Sequence, residues 1–348
     1  LTKAPEPEFS DAKEIYTALH YGASQFLKQI GIQKMTIGVS GGIDSAVTAA
    51  FYVDILGADN VLLANIPSRY NSSVTKNLAQ QMAQALGTRY VIIPIQEVVD
   101  KTIEQLGQTP IHNYATGEDS KLTITPFATE NIQARDRGAR VIAGLAASFG
   151  GGFSCNSNKA EMTVGYATFY GDIAGVLALL GDLWKHQVYA LGHYLNEEVF
   201  HKEVIPEQIF TIKPSAELSE AQTVGNGGDP LVYPYHDFLF RSFIEDWYKT
   251  SPEDLLGWYL EGTLEEHLGC APGLVKELFP TPQAFIADLE RWWKNFCGLA
   301  VAKRIQAPPI LTISKRAYGY DHREAQMKPF YSRKYQEMKA KALSGANS

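Results

Sequence analysis

Ile37-Gly-Val-Ser-Gly-Gly-Ile-Asp-Ser45 is the stretch on which the fold turns. The apolar run Met35 to Val39 predicts a strand, and Ile43 to Leu56 suits a helix, so Ser40-Gly-Gly marks a strand-to-helix turn. At such a turn the first amides of the helix lack intrahelical partners, and the helix dipole favours negative charge beside them. Gly41 and Gly42 permit close backbone approach, and the Ser40 and Ser45 hydroxyls add donors. No Gly-Lys-Ser/Thr follows, as a Walker A loop requires, and G-x-G-x-x-G is absent. Asp44 beside phosphate-binding glycines makes sense where a divalent cation bridges carboxylate and phosphate oxygens. Ser-Gly-Gly alone would also suit a plain tight turn. With Asp44-Ser45 in this strand-to-helix setting, an anion site is the better reading.

Working outward, Asp11 to Ile30 carries Ile15, Leu19, Ala23, Phe26 and Ile30 at helical spacing. Tyr16 and Tyr21 lie on the same helix and fit a core or interface role. Val61 to Ile66 and Tyr90 to Ile95 are further strands, with a helix over Ser72 to Leu86 between them. Strands alternating with helices predict an α/β fold, a doubly wound parallel sheet covered on both faces. Gly107 to Pro126 reads as a long loop, then a helix from about Thr129 to Phe149 and a short strand, Phe153-Ser-Cys155. Gly165, Gly171 and Gly175 punctuate a segment suited to movement, and Lys213 to Pro234 is another loop. Tyr235 to Pro280 is helical and aromatic, with Phe238, Phe240, Phe243, Trp247, Trp258 and Tyr259, and reads as a packed lobe. The expected division is a core over 1–230, a helical lobe over 231–300 continuous with it, and a C-terminal extension over 301–348. Its tail after Tyr320 is Lys- and Arg-rich and is expected to be partly disordered.

Composition narrows the class. Hydrophobic residues make up 45% and charged residues 20% of 348 residues, ordinary for a globular enzyme. A net charge of −7 argues against a general nucleic-acid binder, which needs a basic face. Cys155, Cys270 and Cys297 form neither a C-x-x-C pair nor a zinc spacing, so a reducing, cytoplasmic compartment fits. No apolar run approaches the length of a membrane span. The histidines show no H-E-x-x-H pattern, which argues against a transition-metal site.

Ser40-Gly-Gly-Ile-Asp-Ser45 resembles the pyrophosphate loop of the N-type ATP pyrophosphatases, which include NAD, GMP and asparagine synthetases and tRNA-thiolating enzymes. The loop does not separate them. Three later segments resemble the NAD synthetase family: Glu130-Asn-Ile-Gln-Ala-Arg135, Asn156-Ser-Asn-Lys-Ala-Glu161 with Gly165-Tyr-Ala-Thr-Phe-Tyr-Gly-Asp172, and Pro214-Ser-Ala-Glu-Leu218. The resemblance implies an adenine nucleotide α-hydrolase-like fold and amidation of deamido-NAD⁺ through an acyl-adenylate, with ATP consumed to AMP and pyrophosphate. It implies Mg²⁺ held by Asp44 and Glu161, with Ser40, Gly41, Gly42, Asp44, Ser45 and Asn156 binding ATP. Asn131 and Arg135, four apart on a helix, would grip the dinucleotide. Asp172 would face its nicotinate end, and Lys185, with Lys159, would reach the phosphates.

Lys303-Arg-Ile-Gln-Ala-Pro-Pro309 and Arg316-Ala-Tyr-Gly-Tyr-Asp-His-Arg323 resemble the ending of the glutamine-dependent branch, whose separate glutaminase domain supplies ammonia. No such domain precedes Asp11, so the expectation is either the synthetase half of a larger enzyme or a stand-alone user of free ammonia. The family also implies a homodimer. Asn156-Ser157 departs from the Thr-Gly common at that point, and Ile173-Ala-Gly-Val176 replaces the second acid that ammonia-dependent members carry. Two other readings stay open: another pyrophosphate-loop ligase such as a GMP synthetase, and a non-catalytic adenine-nucleotide-binding module. The run from Asn156 to Asp172 disfavours the first, and Asp44, Glu161 and Asp172 together disfavour the second.

Overall fold

The computed structural model describes residues 12–214, 218–219, 229–246, 249–318 and 329–345. Its strands are β1 (Met35–Gly38), β2 (Val61–Asn65), β3 (Arg89–Ile92), β4 (Ile111–His112), β5 (Asp119–Ser120), β6 (Gly152–Cys155) and β7 (Leu177–Ala178). Among the described residues the main sheet runs β3-β2-β1-β6-β7, and every pairing in it is parallel. β4 and β5 form a separate antiparallel hairpin inside the stretch expected to be irregular.

Helix α1 (Ala12–Gln29) precedes β1, and α2 (Ile43–Leu56), α3 (Ser73–Leu86) and α4 (Gln96–Gln108) follow β1, β2 and β3. Ile15, Leu19, Ala23 and Leu27 form the buried stripe of α1 at helical spacing. Tyr16 joins that side, donating to Asp54 Oδ2 at 2.7 Å, whereas Tyr21 is exposed. α2 is buried on nearly every face because it lies under both the sheet and α1. Ser72 caps α3 by accepting from Thr75 N, and Gly87 ends it in the left-handed conformation.

The helix expected from Thr129 to Phe149 is present but not uniform. α5 (Pro126–Arg135) and α6 (Ala143–Phe149) are joined without a break by a π-helical stretch, Asp136–Ile142. α7 (Lys159–Val164), α8 (Lys185–Tyr194) and α9 (Glu207–Thr211) complete the sheet layer.

The aromatic stretch forms α10 (Tyr233–Ile244), α11 (Pro252–Glu261), α12 (Leu264–Leu268), α13 (Leu274–Leu278), α14 (Pro282–Cys297) and α15 (Leu299–Gln306). Phe240, Phe243, Phe285, Trp292 and Phe296 are buried together in a second core, as a packed lobe requires. Trp247 lies outside the described residues. Ala160, Met162 and Val164 of α7 belong to that second core, so the lobe and the sheet layer share an element. Ile310 bridges β7 through Ala178.

The described part of the tail is helical from Arg333. There α16 (Arg333–Gly345) packs against α11 and α14, with Tyr335 and Ala342 buried. Residues 319–328, which include Tyr320 and Arg323, lie outside the description. No described helix is long and apolar enough to cross a membrane.

Candidate active site

Strand order reverses at β1, with β2 on one side and β6 on the other. The carboxyl ends of neighbouring strands diverge there, and the crevice they leave is where ligands bind in open α/β sheets. A cleft of about 300 Å³ occupies that point, lined by Gly38 to Ser45, Asn156, Ser157, Glu161, Asp172 and Lys185 among others.

The loop is shaped from within. Val39 N donates to Ala64 O at 2.9 Å, extending the sheet pattern to the turn. Gly41 adopts φ +91, and a Cβ there would lie 2.2 Å from Thr75 O, so no larger residue fits. Ser45 Oγ donates to Gly42 O at 3.0 Å and accepts from Ser40 N at 3.3 Å. Gly42, the N-cap of α2, offers no side chain to the first-turn amides.

Two carboxylates face one another across the cleft. Asp44 comes from the first turn of α2 and Glu161 from the first turn of α7. The Asn158 amide donates to both, at 3.2 Å to Asp44 Oδ1 and 3.0 Å to Glu161 Oε1. Tyr233 donates to Glu161 Oε1 at 3.1 Å. Lys185, at the start of α8, is buried, pairs with Asp44 and lies 4.7 Å over the Tyr233 ring. Burial and the neighbouring Asp44 charge push the Glu161 carboxyl up to about 8. Burial opposes charge on Lys185, but Asp44 and Glu161 outweigh it and raise the pKa, so the ammonium stays protonated.

This donor set suits a hard divalent cation. Mg²⁺ characteristically takes one or two carboxylates and completes its shell with phosphate oxygens and water. Among the described residues no third acid, His or Cys closes a protein cage, which leaves positions for a phosphate.

Asp172 lines the same cleft. Its Oδ1 accepts from Thr168 N at 2.6 Å. The residue keeps an open surface, but protein surrounds the carboxylate closely enough that burial raises its pKa. Asn156 lines it too, its amide donating to Gly38 O at 2.8 Å across the β1–β6 divide.

The family model described as NAD synthase matches residues 15–251. This chain belongs to the NAD synthase family. A glutamine-dependent NAD(+) synthetase of Xylella fastidiosa is 32% identical over 319 residues, covering 91% of this chain and 51% of the relative. One from Thermotoga maritima is 37% identical over 234 residues, covering 67% and 38%. The chain thus spans about half the length, or less, of these curated relatives. The solved glutamine-dependent NAD+ synthetase of Acinetobacter baumannii, in complex with ADP, is 26% identical with a TM-score of 0.51, covering 92% and 50%.

Within this NAD synthase family member the remaining sequence candidates fall in three places. Lys159 is a correction: it lies outside the cleft and is fully buried behind Glu161. Its ammonium pairs with Asp182 at 2.9 Å and with Glu245, and donates to Ser314 Oγ at 2.7 Å and Arg316 O at 2.9 Å. An ammonium so committed does not reach a phosphate in the cleft.

Asn131 and Arg135 share α5 but neither lines the cleft. Asn131 donates to Phe127 O on its own helix, and Arg135 holds Phe169 O at 3.1 Å. Arg137, two residues on, lines the cleft instead and donates to Ile66 O, Ser68 Oγ and Asn71 Oδ1. Residues two apart on a helix point to nearly opposite sides, so Arg137 faces the cleft where Arg135 does not. Gly138 was the available signal: its Cβ would meet Gly171 O at 2.2 Å, so a glycine in mid-helix marks close backbone contact. Asn158 carried a local signal, because with Glu161 three residues on it forms the capping box of α7, whereas only folding brings Tyr233 to Glu161. Of Pro214-Ser-Ala-Glu-Leu218, Pro214 and Leu218 line the cleft and residues 215–217 lie outside the description.

Proposed function

We propose that the chain carries the synthetase reaction: ATP-dependent amidation of deamido-NAD⁺ to NAD⁺, with ammonia as nitrogen donor. The observation that carries it is the convergence of loop 40–45, Asp44, Glu161 and Lys185 at the switch point of a sheet, with Asp172 lining the same cleft.

A carboxylate resists nucleophilic attack because the incoming electron pair adds charge to an anion. In the proposed first step the nicotinate carboxylate oxygen attacks the α-phosphorus of ATP, the α–β bridging bond breaks, and pyrophosphate leaves. The carboxyl group is then neutral and carries AMP as its leaving group. Loop amides at the α2 N-terminus bind the departing pyrophosphate, and the Lys185 ammonium takes up charge developing on the phosphates. Mg²⁺, held by Asp44 and Glu161, would neutralise phosphate charge. In the second step ammonia attacks the acyl carbon, AMP leaves, and nitrogen sheds a proton. Asp172 is placed in this reading to orient ammonia and accept that proton. Ser40, Gly41, Gly42, Ser45 and Asn156 hold the nucleotide, and the acyl-adenylate needs shelter from water.

The ammonia source is part of the proposal. The relatives named as glutamine-dependent are about twice as long, so a glutaminase domain or subunit would deliver ammonia to this part, and free ammonium would substitute for it. A homodimer belongs to the same reading.

Incubation with ATP, Mg²⁺, deamido-NAD⁺ and ammonium should yield NAD⁺, AMP and pyrophosphate in equal amounts, and Asp44→Ala should abolish ATP–pyrophosphate exchange. Tight ATP binding without turnover would instead favour a binding module. Near-normal exchange in Asp44→Ala would remove the metal role from that residue.

A further inference from the structure

The segment from Gly165 to Gly175, which carries Asp172, joins α7 to β7 without helix or strand. Its backbone groups therefore need partners from elsewhere, and α15 supplies them. Lys303 Nζ donates to Gly165 O at 2.7 Å and also to Ala167 O. Arg304 Nη1 donates to Thr163 O at 2.5 Å. Gln306 works at both poles of its amide: Nε2 donates to Ile173 O at 3.3 Å, and Oε1 accepts from Tyr170 N at 3.2 Å. One short helix thus holds backbone groups on both sides of Asp172.

The fit is close. Gly165 has φ +66, and a Cβ there would come within 2.8 Å of Ala300 Cα. Lys303 also lies over the Phe169 ring. From the opposite side Arg135 holds Phe169 O, and Gly171 lies against Ala134. Tyr170, between the two grips, has φ 56. A non-glycine residue keeps such a conformation only where its surroundings over-determine it.

We propose that Lys303 and Gln306 are positioning residues that hold Asp172 at the cleft through the backbone of its segment. Neither lines the cleft, so they act through Asp172 and do not touch the reactants. The stretch Lys303-Arg-Ile-Gln306 thereby acquires a task at the reaction centre.

The inference rests on the role proposed for Asp172, and its test separates the two. In the full chain, Lys303→Met and Gln306→Ala should each lower kcat for NAD⁺ formation about tenfold or more, since small misplacements act strongly on chemistry. The KM for ATP should stay within about twofold. Lys303→Arg should restore most of the loss, because a guanidinium also donates to two carbonyls. The double variant Lys303→Met/Asp172→Asn should be no worse than Asp172→Asn, since both losses run through one carboxylate. Additive losses, or an unchanged kcat with a raised KM for ATP, would overturn the proposal.

Amide hydrogen exchange over residues 165–173, measured without substrate, should be faster in both variants relative to β1 and β2. Unchanged protection overturns the proposal whatever the activity. A wild-type chain that makes no NAD⁺ counts against the proposed reaction, and the exchange measurement then decides the clamp alone. If Lys303→Met does not fold, Gln306→Ala carries the same comparisons.

Discussion

Gly41→Ala is the sharpest test of the loop. The backbone there sits at φ +91, and the added methyl carbon would lie 2.2 Å from Thr75 O and 2.8 Å from Thr75 Cα. Thr75 belongs to the first turn of α3, where Ser72 fixes it as a capped residue. Neither partner is a flexible side chain end, so the loop and α3 must separate by about 1 Å, a shift of the size that costs about 10²-fold in catalysis. Holding a Cβ at positive φ adds about 1–2 kcal/mol. With the lost packing the variant should be less stable by about 2–3 kcal/mol, a fall in Tm of several degrees. Gly42→Ala is the internal control. Gly42 has φ −98, and its Cβ would meet only Ser40 Oγ, at 3.4 Å. It should change stability by no more than about 0.5 kcal/mol. Thermal melting and ATP-binding calorimetry on both variants give the answer. Wild-type ATP affinity and Tm in Gly41→Ala, or an equal fall in Tm in both, would refute the account of the loop.

Lys159→Met should lower stability by about 3–5 kcal/mol, because Asp182 and Glu245 would be left buried without their cation; denaturant unfolding checks this, and a neutral effect would refute the structural role given to its ion pairs. Glu161→Gln should change the pH dependence of the metal-free protein. A carboxyl raised to about 8 in the folded chain, against 4.5 unfolded, costs stability as pH rises through that interval. The variant should therefore melt above wild type at pH 8–9 and match it near pH 4, a crossover that differential scanning fluorimetry resolves. Cys155 is buried with its thiol pushed up to about 12 by burial. It should resist iodoacetamide in the native protein and react only on unfolding, as mass spectrometry of the labelled peptide would report.

The strand-to-helix alternation from Met35 to Ile92 was legible because each element carries its own period. Ile43 to Leu56 matched α2 residue for residue, with Gly42 and Gly57 as its caps. What escaped was short or non-local. β7 is two residues long and has meaning only beside β6. α8, which places Lys185, mixes polar and apolar residues because it packs on α1, α2 and α10 at once. The site divided in the same way: Ser40 to Ser45, Asn156, Glu161, Asp172 and Lys185 gather in one cleft, whereas Lys159 and Arg135 do not.

The sequence alone determined the loop, since glycine at a strand-to-helix turn is a local requirement of backbone geometry and first-turn amides. It also determined which carboxylates are available. Tertiary structure decided which charges meet. Lys159 and Lys185 are equally basic on paper, and the difference is that α7 turns one inward to Asp182 while α8 aims the other at Asp44. It also decided that Arg137 and not Arg135 faces the cleft. A charge's partner is fixed by distance and burial, and those quantities exist only once strands far apart in the chain are neighbours in the sheet.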